Sequence, residues 1–131
     1  MVTTSRAPGR RAGFTLIELL VVLAIVALLL TIAVPRYFSS LHHSRDAALK
    51  ENLKVLRTTL DKYAGDKGHF PETLDELVTQ HYLRAVPLDP ITESAQTWVL
   101  VTDGDGGRAG VVDVRSGAPG ENREGVAYAS Y

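Results

Sequence analysis

The sequence of 131 residues contains no cysteine. Disulfide bonds, thiolate metal sites and cysteine nucleophiles are therefore excluded, so the domain depends on its hydrophobic core and on what it assembles with. Other chemical motifs are missing as well. No Gly-x-Ser-x-Gly frame surrounds Ser116, no phosphate-binding Lys-Ser or Lys-Thr follows the glycines within residues 104–107, and the four histidines lack zinc spacing. The sequence predicts no catalytic residue and no enzyme.

Acidic residues are missing from the first thirteen positions, which contain Arg6, Arg10 and Arg11. After Pro35 the acidic residues outnumber lysine and arginine, and the formal net charge of the whole chain is −1. This balance gives no reason to expect a nucleic acid as a partner. The two signs of charge are instead separated by a long apolar run.

The apolar run covers residues 14–34, where Glu18 is the one charged residue. A helix of this length spans about 30 Å, the thickness of a bilayer's hydrocarbon core. A cleaved secretory signal peptide is the alternative, but the run is longer than a usual signal core and no Ala-x-Ala-like site follows it. We expect a single membrane helix, with the preceding arginines keeping the N-terminus in the cytoplasm.

Glu18 is costly in such a segment. A charged side chain at the centre of a membrane helix costs about 2.5–3.5 kcal/mol on insertion scales, and less towards its end. A carboxylate in this position is therefore a functional hypothesis that requires a partner.

The stretch GFTLIE, residues 13–18, lies between a basic leader and the apolar run. In this setting it resembles the type III signal of type IV pilins and pseudopilins. The resemblance implies that an inner-membrane prepilin peptidase cuts after Gly13 and N-methylates the new N-terminal residue, Phe14. Residues 1–13 would then be a leader that is removed.

The same resemblance suggests the partner of Glu18. An α-amino group has a pKa of about 7.7–8.0, so the amine of Phe14 would be largely protonated at neutral pH. In a filament, the Glu18 carboxylate of one subunit would pair with the Phe14 amine of its neighbour and set the register of assembly. An ion pair within one chain is the alternative, because the two groups are one helical turn apart.

A second helical half is expected over residues 35–64, beyond a kink at Pro35. Apolar residues recur there at alternating spacings of four and three, which predicts an amphipathic helix. They are Leu49, Leu53, Leu56, Leu60 and Tyr63. We expect this stripe to support a small sheet. A coiled-coil partner is the alternative, although the stripe spans only about two heptads.

Residues 65–131 are predicted to form an exported α/β region. Gly65 and Gly68 end the helix, with Gly65 as the expected cap, and a Thr-x-x-Glu capping box at Thr73 begins a short helix. Two strands are expected over residues 97–101 and 110–114, and the last five residues add a strand or dock their aromatic rings. The G-x-F-P and P-x-D-P steps within residues 66–90 resemble the major pseudopilins of type II secretion.

The turn between the two strands contains Asp103 and Asp105. Closely spaced carboxylates among glycines are suited to calcium, and the resemblance implies a calcium site in this region of major pseudopilins. A simple hairpin turn is the favoured alternative, since Asp-Gly is a strong turn signal and no EF-hand glutamate follows. We expect no other cofactor and no other metal.

These observations predict an α+β, pilin-like fold, with a long kinked N-terminal helix packed on a small antiparallel sheet. The resemblance implies a structural subunit of a type II secretion pseudopilus, anchored once in the inner membrane with its C-terminal domain in the periplasm. Its partners would be further copies of itself, minor pseudopilins, the prepilin peptidase and an assembly platform with a cytoplasmic ATPase. The alternatives are a type IV pilin for adhesion, motility or DNA uptake, and an anchored binding module that does not polymerise.

Overall fold

A computed structural model describes residues 1–5, 9, 12–103 and 110–131. Its elements are α1 (Leu16–Lys67), α2 (Leu74–Thr79), β1 (Val99–Thr102), β2 (Val111–Arg115) and a 3-10 helix (Tyr128–Ser130). The chain divides into two units, Met1–Ser39 and Ser40–Tyr131, and each is described by itself. The predicted α+β, pilin-like arrangement is confirmed, because the second half of α1 packs with a small antiparallel sheet.

Helix α1 is longer than the sequence predicted at its C-terminal end. It continues past Pro35, as expected, but it also passes through Gly65 and ends at Lys67. Gly68 is the residue that ends it, with a φ of 78° and an N–H that donates to the Ala64 carbonyl at 2.9 Å. The prediction that Gly65 caps the helix was wrong, because the left-handed conformation that favours glycine occurs three residues later.

The core of the second unit forms on the predicted leucine stripe. All five stripe residues of α1 are at most 2 % exposed, and they cluster with Leu77 of α2, Trp98, and Val111 and Val114 of β2. The spacing of four and three places these side chains on one face of α1, so that face is dry while the charged residues face solvent. The interpretation of the stripe as the packing face for the sheet is confirmed.

The two strands are antiparallel, with Val99 opposite Arg115 and Leu100 opposite Val114. Both strands were predicted, and each begins one or two residues later than expected. The irregularity between Val101 and Thr102 lies next to the connection at residues 104–109, which is outside the described residues. β2 faces the core, whereas Val99 and Leu100 of β1 are largely exposed.

The position of Gly110, just before β2, leaves no room for a side chain. Its φ is 116°, and a Cβ there would lie 2.6 Å from the Phe70 carbonyl oxygen. This close approach lets the Val111 N–H donate to the Pro71 carbonyl at 2.7 Å. The strand is thereby joined to the segment that follows α1.

Arg57 ties α1 to β2. Its Nε donates to the Asp113 carboxylate at 2.8 Å, and its Nη2 donates to the Val114 carbonyl at 3.0 Å. The spacing of four along a helix predicts two ion pairs in this half of α1, a favourable one between Asp46 and Lys50 and a weaker one between Arg57 and Asp61. Two acceptors on the neighbouring strand engage the Arg57 guanidinium instead of Asp61, whereas Asp46 and Lys50 do pair, at 3.2 Å.

Helix α2 begins at the predicted capping box, in a modified form. The Thr73 hydroxyl accepts from the Glu76 N–H at 3.3 Å. The Glu76 carboxylate accepts from the Glu72 N–H at 2.8 Å and from the Tyr63 hydroxyl, rather than from the Thr73 N–H. The hydrogen bond from Tyr63 is the largest cause of a lowered pKa at Glu76, and the bond from the Glu72 N–H lowers it further. The bond between Tyr63 and Glu76, together with burial, raises the pKa of Tyr63 to about 12.

The proline-containing connector at residues 87–90 is held by hydrogen bonds from α1 and from residues next to each strand. The Leu88 carbonyl accepts from Asn52 of α1, and the Pro87 carbonyl accepts from the Trp98 indole, each at 2.8 Å. Asp89 is fully buried and accepts from the Ile91 N–H and the Ser116 hydroxyl. The sequence identified the stiff connector but gave no sign that its carboxylate is a buried hydrogen-bond centre.

The C-terminal residues dock their aromatic rings rather than forming a strand. Tyr128 and Tyr131 pack against the core, and the Tyr131 hydroxyl accepts from the Asn122 amide at 2.6 Å. The Lys50 ammonium lies 5.1 Å from the centre of the Tyr131 ring, within the range of a cation–π contact. The sequence left two alternatives for the last five residues, a strand or docked aromatic rings, and the structure adopts the second.

Candidate processing and assembly segment

The apolar part of α1 in the first unit is not covered by the described residues of that unit. Between Leu16 and Val34 its large apolar side chains are 45–80 % exposed. They are Leu16, Ile17, Leu19, Leu20, Val21, Val22, Leu23, Ile25, Val26, Leu28, Leu29, Leu30, Ile32 and Val34. Each leucine or valine left exposed forgoes about 1.5–3 kcal/mol of burial energy, so this surface requires another apolar environment.

In the described part of the chain, α1 is the one helix long and apolar enough to cross a membrane. The apolar residues surround it on all sides, so no single packing surface could cover them. Lipid can do so, and so can several neighbouring copies of the same helix. The chemistry of this segment is therefore that of an anchor or of a filament core.

The predicted cleavage junction lies immediately before this helix. Gly13 and Phe14 are non-helical, and α1 starts two residues after Phe14. Phe14 is 89 % exposed, and a Cβ placed on Gly13 would meet nothing within 4 Å. The junction is therefore accessible, and the chain's own packing does not require a glycine at position 13.

Thr15 begins the helix, a role that the sequence analysis missed. Its hydroxyl accepts from the Glu18 N–H at 3.2 Å, and its carbonyl accepts from the Leu19 N–H at 3.2 Å. These are the two bonds of an N-cap residue. The signal was present in the sequence, because Thr15 and Glu18 have the Thr-x-x-Glu spacing of a capping box.

The Glu18 side chain is exposed in the first turn of α1. Within the described ranges, its carboxylate has no hydrogen bond or ion pair in the same chain. Its location in the first turn places it near the positive end of the helix dipole and leaves it available to another group. Its pairing with an amine on Phe14 stays a prediction, since that amine exists only after cleavage.

Pro35 lies inside α1, where its ring nitrogen cannot donate to the Thr31 carbonyl. The Thr31 hydroxyl donates to the Ala27 carbonyl at 2.8 Å, a bond that often accompanies helix bending. Both features favour the kink that the sequence predicts at Pro35. The kink itself stays a prediction.

The candidate calcium ligands lie partly outside the described residues. Asp103 is exposed directly after β1, whereas Asp105 falls within residues 104–109. In the described ranges, no group of three or more His, Asp or Glu side chains is placed to hold a metal ion. Calcium binding by Asp103 and Asp105 stays a prediction.

Comparison with known proteins identifies the same segment. A sequence family described as the prokaryotic N-terminal methylation motif matches residues 8–34. These residues include the junction, Glu18 and the whole apolar run. The predicted processing motif therefore coincides with a defined protein family.

Longer relatives match beyond this motif. The type II secretion system core protein G of Escherichia coli is 28 % identical over 130 residues, with 87 % of this chain and 86 % of that protein covered. The protein of the same name from Pseudomonas aeruginosa is 30 % identical, over 62 % of this chain and 68 % of that protein. The type IV major pilin protein PilA of Myxococcus xanthus is 36 % identical over 73 residues.

The match to PilA covers 56 % of this chain but only 33 % of that pilin, whereas the match to the Escherichia coli protein G covers most of both proteins. No solved structure matches the chain. The processing motif, the exposed apolar helix and the relatives agree with one another, and the chain belongs to the type IV pilin-like family, in which it is most like protein G of type II secretion systems.

Proposed function

We propose that this protein is a structural subunit of a type II secretion pseudopilus. The observation that carries the proposal is the exposed apolar part of α1, which lies within the residues that match the N-terminal methylation motif. Relatives named as type II secretion system core protein G cover most of the chain and favour secretion over other uses of pilin-like filaments. The role is structural, since the function follows from burial between subunits rather than from a reaction at a site.

In this proposal, removal of the leader after Gly13 creates a charged, N-methylated amine on Phe14. The apolar halves of many subunits then bury one another in the centre of a helical filament, which recovers the burial energy that the single chain lacks. The Glu18 carboxylate of one subunit pairs with the Phe14 amine of its neighbour. A misplaced subunit leaves a charge buried and unpaired, at a cost of several kcal/mol, so the pair sets the register.

The arginines of the leader favour a cytoplasmic N-terminus and a periplasmic second unit, anchored once in the inner membrane. The filament would extend through the periplasm and drive folded proteins through the outer membrane. Because the sequence has no phosphate-binding loop, the work must come from a cytoplasmic ATPase acting through a membrane platform. Minor pseudopilins and the prepilin peptidase complete the set of proposed partners.

The decisive experiment is the intact mass of the protein purified from its native membrane. We expect a chain that begins at Phe14 and carries one additional methyl group. A chain that still begins at Met1, in cells with an active prepilin peptidase, would contradict the proposal and leave a membrane-anchored binding module.

Two glycine substitutions make this experiment specific. Gly13→Ala and Gly9→Ala each add one methyl group where nothing lies within 4 Å, so neither should change the chain's own structure. We expect Gly13→Ala to block or slow leader removal and Gly9→Ala to leave it unchanged. Equal processing of both variants would show that the junction is not after Gly13.

A type IV pilin is the second candidate, because PilA of Myxococcus xanthus is 36 % identical to this chain over 73 residues. Deletion of the gene separates the two functions. Loss of protein export with normal surface piliation supports the pseudopilus, whereas loss of piliation with normal export supports the pilin.

A further inference from the structure

Thr15, the second residue after the candidate junction, caps the N-terminus of helix α1. Thr15 is non-helical, its hydroxyl accepts from the Glu18 N–H, and its carbonyl accepts from the Leu19 N–H. Phe14 and Leu19 also have the N′ and N4 spacing of a hydrophobic staple. The stretch after Gly13 is therefore a complete helix-start signal in addition to any role in a filament.

The cap competes directly with extension of the helix towards the junction. If α1 began one residue earlier, the Glu18 N–H would donate to the Phe14 carbonyl. One residue earlier still, the Ile17 N–H would donate to the Gly13 carbonyl, which belongs to the bond to be cut. In the structure the Thr15 hydroxyl occupies the Glu18 N–H, so the first of these steps is blocked.

We propose that Thr15 is a positioning residue for leader removal, because its cap keeps the peptide bond between Gly13 and Phe14 outside the helix. This inference rests on the proposed function, since it presupposes cleavage at that bond. Hydrolysis breaks the bond between the Gly13 carbonyl carbon and the Phe14 nitrogen, and it adds the hydroxyl of water to the carbon and a proton to the nitrogen. Both groups are accessible only while they are free of helical hydrogen bonds and of the enclosing turn.

The exposure of the junction supports the proposal. Phe14 is 89 % exposed and nothing lies within 4 Å of a Cβ placed on Gly13, so no tertiary contact in the described part of the chain holds the junction in its non-helical form. The cap at Thr15 is then the feature that stops the 52-residue helix α1 from extending into the non-helical junction. Apolar helices extend readily in a membrane, because every backbone group there needs a partner.

The test is a pulse-chase measurement of leader removal from the full chain, in the membranes of cells with an active prepilin peptidase. Thr15→Val keeps the shape of the side chain and removes the acceptor, whereas Thr15→Ser and Thr15→Asn keep an acceptor and change the shape. We expect Thr15→Val to slow processing about fivefold, the population change for a lost cap of about 1 kcal/mol, and the other two to stay within about twofold of the wild type.

A structural measurement accompanies the rates. In the uncleaved chain in detergent micelles, the Phe14 Cα chemical shift should move towards helical values in Thr15→Val and stay non-helical in Thr15→Ser and Thr15→Asn. Normal processing of Thr15→Val, or slower processing of Thr15→Asn than of Thr15→Val, would overturn the inference, since shape rather than capping would then decide the rate. Failure of the wild type itself to be processed would instead contradict the proposed function.

Discussion

The two halves of helix α1 contain similar side chains in opposite environments. Leucines between Leu16 and Leu30 are more than half exposed, whereas Leu49, Leu53, Leu56 and Leu60 are at most 2 % exposed. The composition of a helix therefore does not decide its burial. What differs is periodicity, because the second half confines its leucines to one stripe and the first half distributes them around the whole circumference.

A single apolar stripe can be buried by one surface, and the second unit supplies that surface from its own sheet and short helix. A helix that is apolar all round needs an environment on every side, which this chain does not supply. The first half is therefore adapted to lipid and to other copies of the protein. The comparison predicts that substitutions in the two halves act on different properties, assembly for the first and folding stability for the second.

The largest effect is expected at Glu18. We expect Glu18→Ala to abolish filament assembly while the protein still accumulates in the membrane, because the carboxylate that we propose sets the register is lost. Electron microscopy of sheared filaments and membrane fractionation measure the two outcomes. Normal filaments from Glu18→Ala would contradict the proposed pairing, and unchanged export would favour a binding module that does not polymerise.

The second-largest effect is expected on the unfolding free energy, where substitutions in the two halves of α1 should differ. We expect Leu56→Ala, at a fully buried site, to lower the unfolding free energy of the second unit by about 2–5 kcal/mol. Leu23→Ala is the matched control, since Leu23 is 56 % exposed on the same helix and should leave that unfolding unchanged. Denaturation of the full chain in mild detergent measures both, and equal losses would show that the two halves are not distinct.

The next prediction concerns pH and the contact between α1 and α2. Because the pKa of Glu76 is lowered in the fold, first by the Tyr63 hydrogen bond, its stabilisation is present above the unfolded pKa near 4.5 and is lost as the pH falls below it. The raised pKa of Tyr63 has the opposite sign. Its contribution is complete below pH 10 and is lost as the pH rises towards about 12.

Two variants test this assignment. Glu76→Gln should flatten the acid side of the profile of unfolding free energy against pH, and Tyr63→Phe should flatten the alkaline side. Both ends of the profile are measured by denaturation of the full chain in mild detergent. An acid side that is unchanged in Glu76→Gln would assign the acid sensitivity to other carboxylates.

The smallest expected effect is local. His81 has a φ of 64° at the end of α2, where its N–H donates to the Val78 carbonyl and the Tyr82 N–H donates to the Leu77 carbonyl. This is a helix ending that favours glycine, so His81→Gly should raise the unfolding free energy by about 0.5–1 kcal/mol. Gln80→Gly, at a φ of −88°, is the control and should lower it by a similar amount.

Much of the fold follows from local patterns. The stripe at Leu49 to Tyr63, the cap at Thr73 and both strands were predicted, because each depends on spacing that a single element expresses by itself. The errors concern choices among competing partners. The end of α1 moved from Gly65 to Gly68, and Arg57 took acceptors on β2 in place of Asp61.

For the candidate segment, the sequence by itself determined the apolar run and the place of Glu18 in it, and it predicts the junction, because the need for a membrane or a filament core follows from composition and charge along one helix. It also contained the Thr15 cap, whose two bonds are local. Only the tertiary structure decided that Asp89 is buried against Ser116, that Glu76 joins α2 to Tyr63, and that the C-terminal tyrosines dock on the core. These contacts join residues far apart in sequence, and their partners are selected by packing rather than by any pattern along the chain.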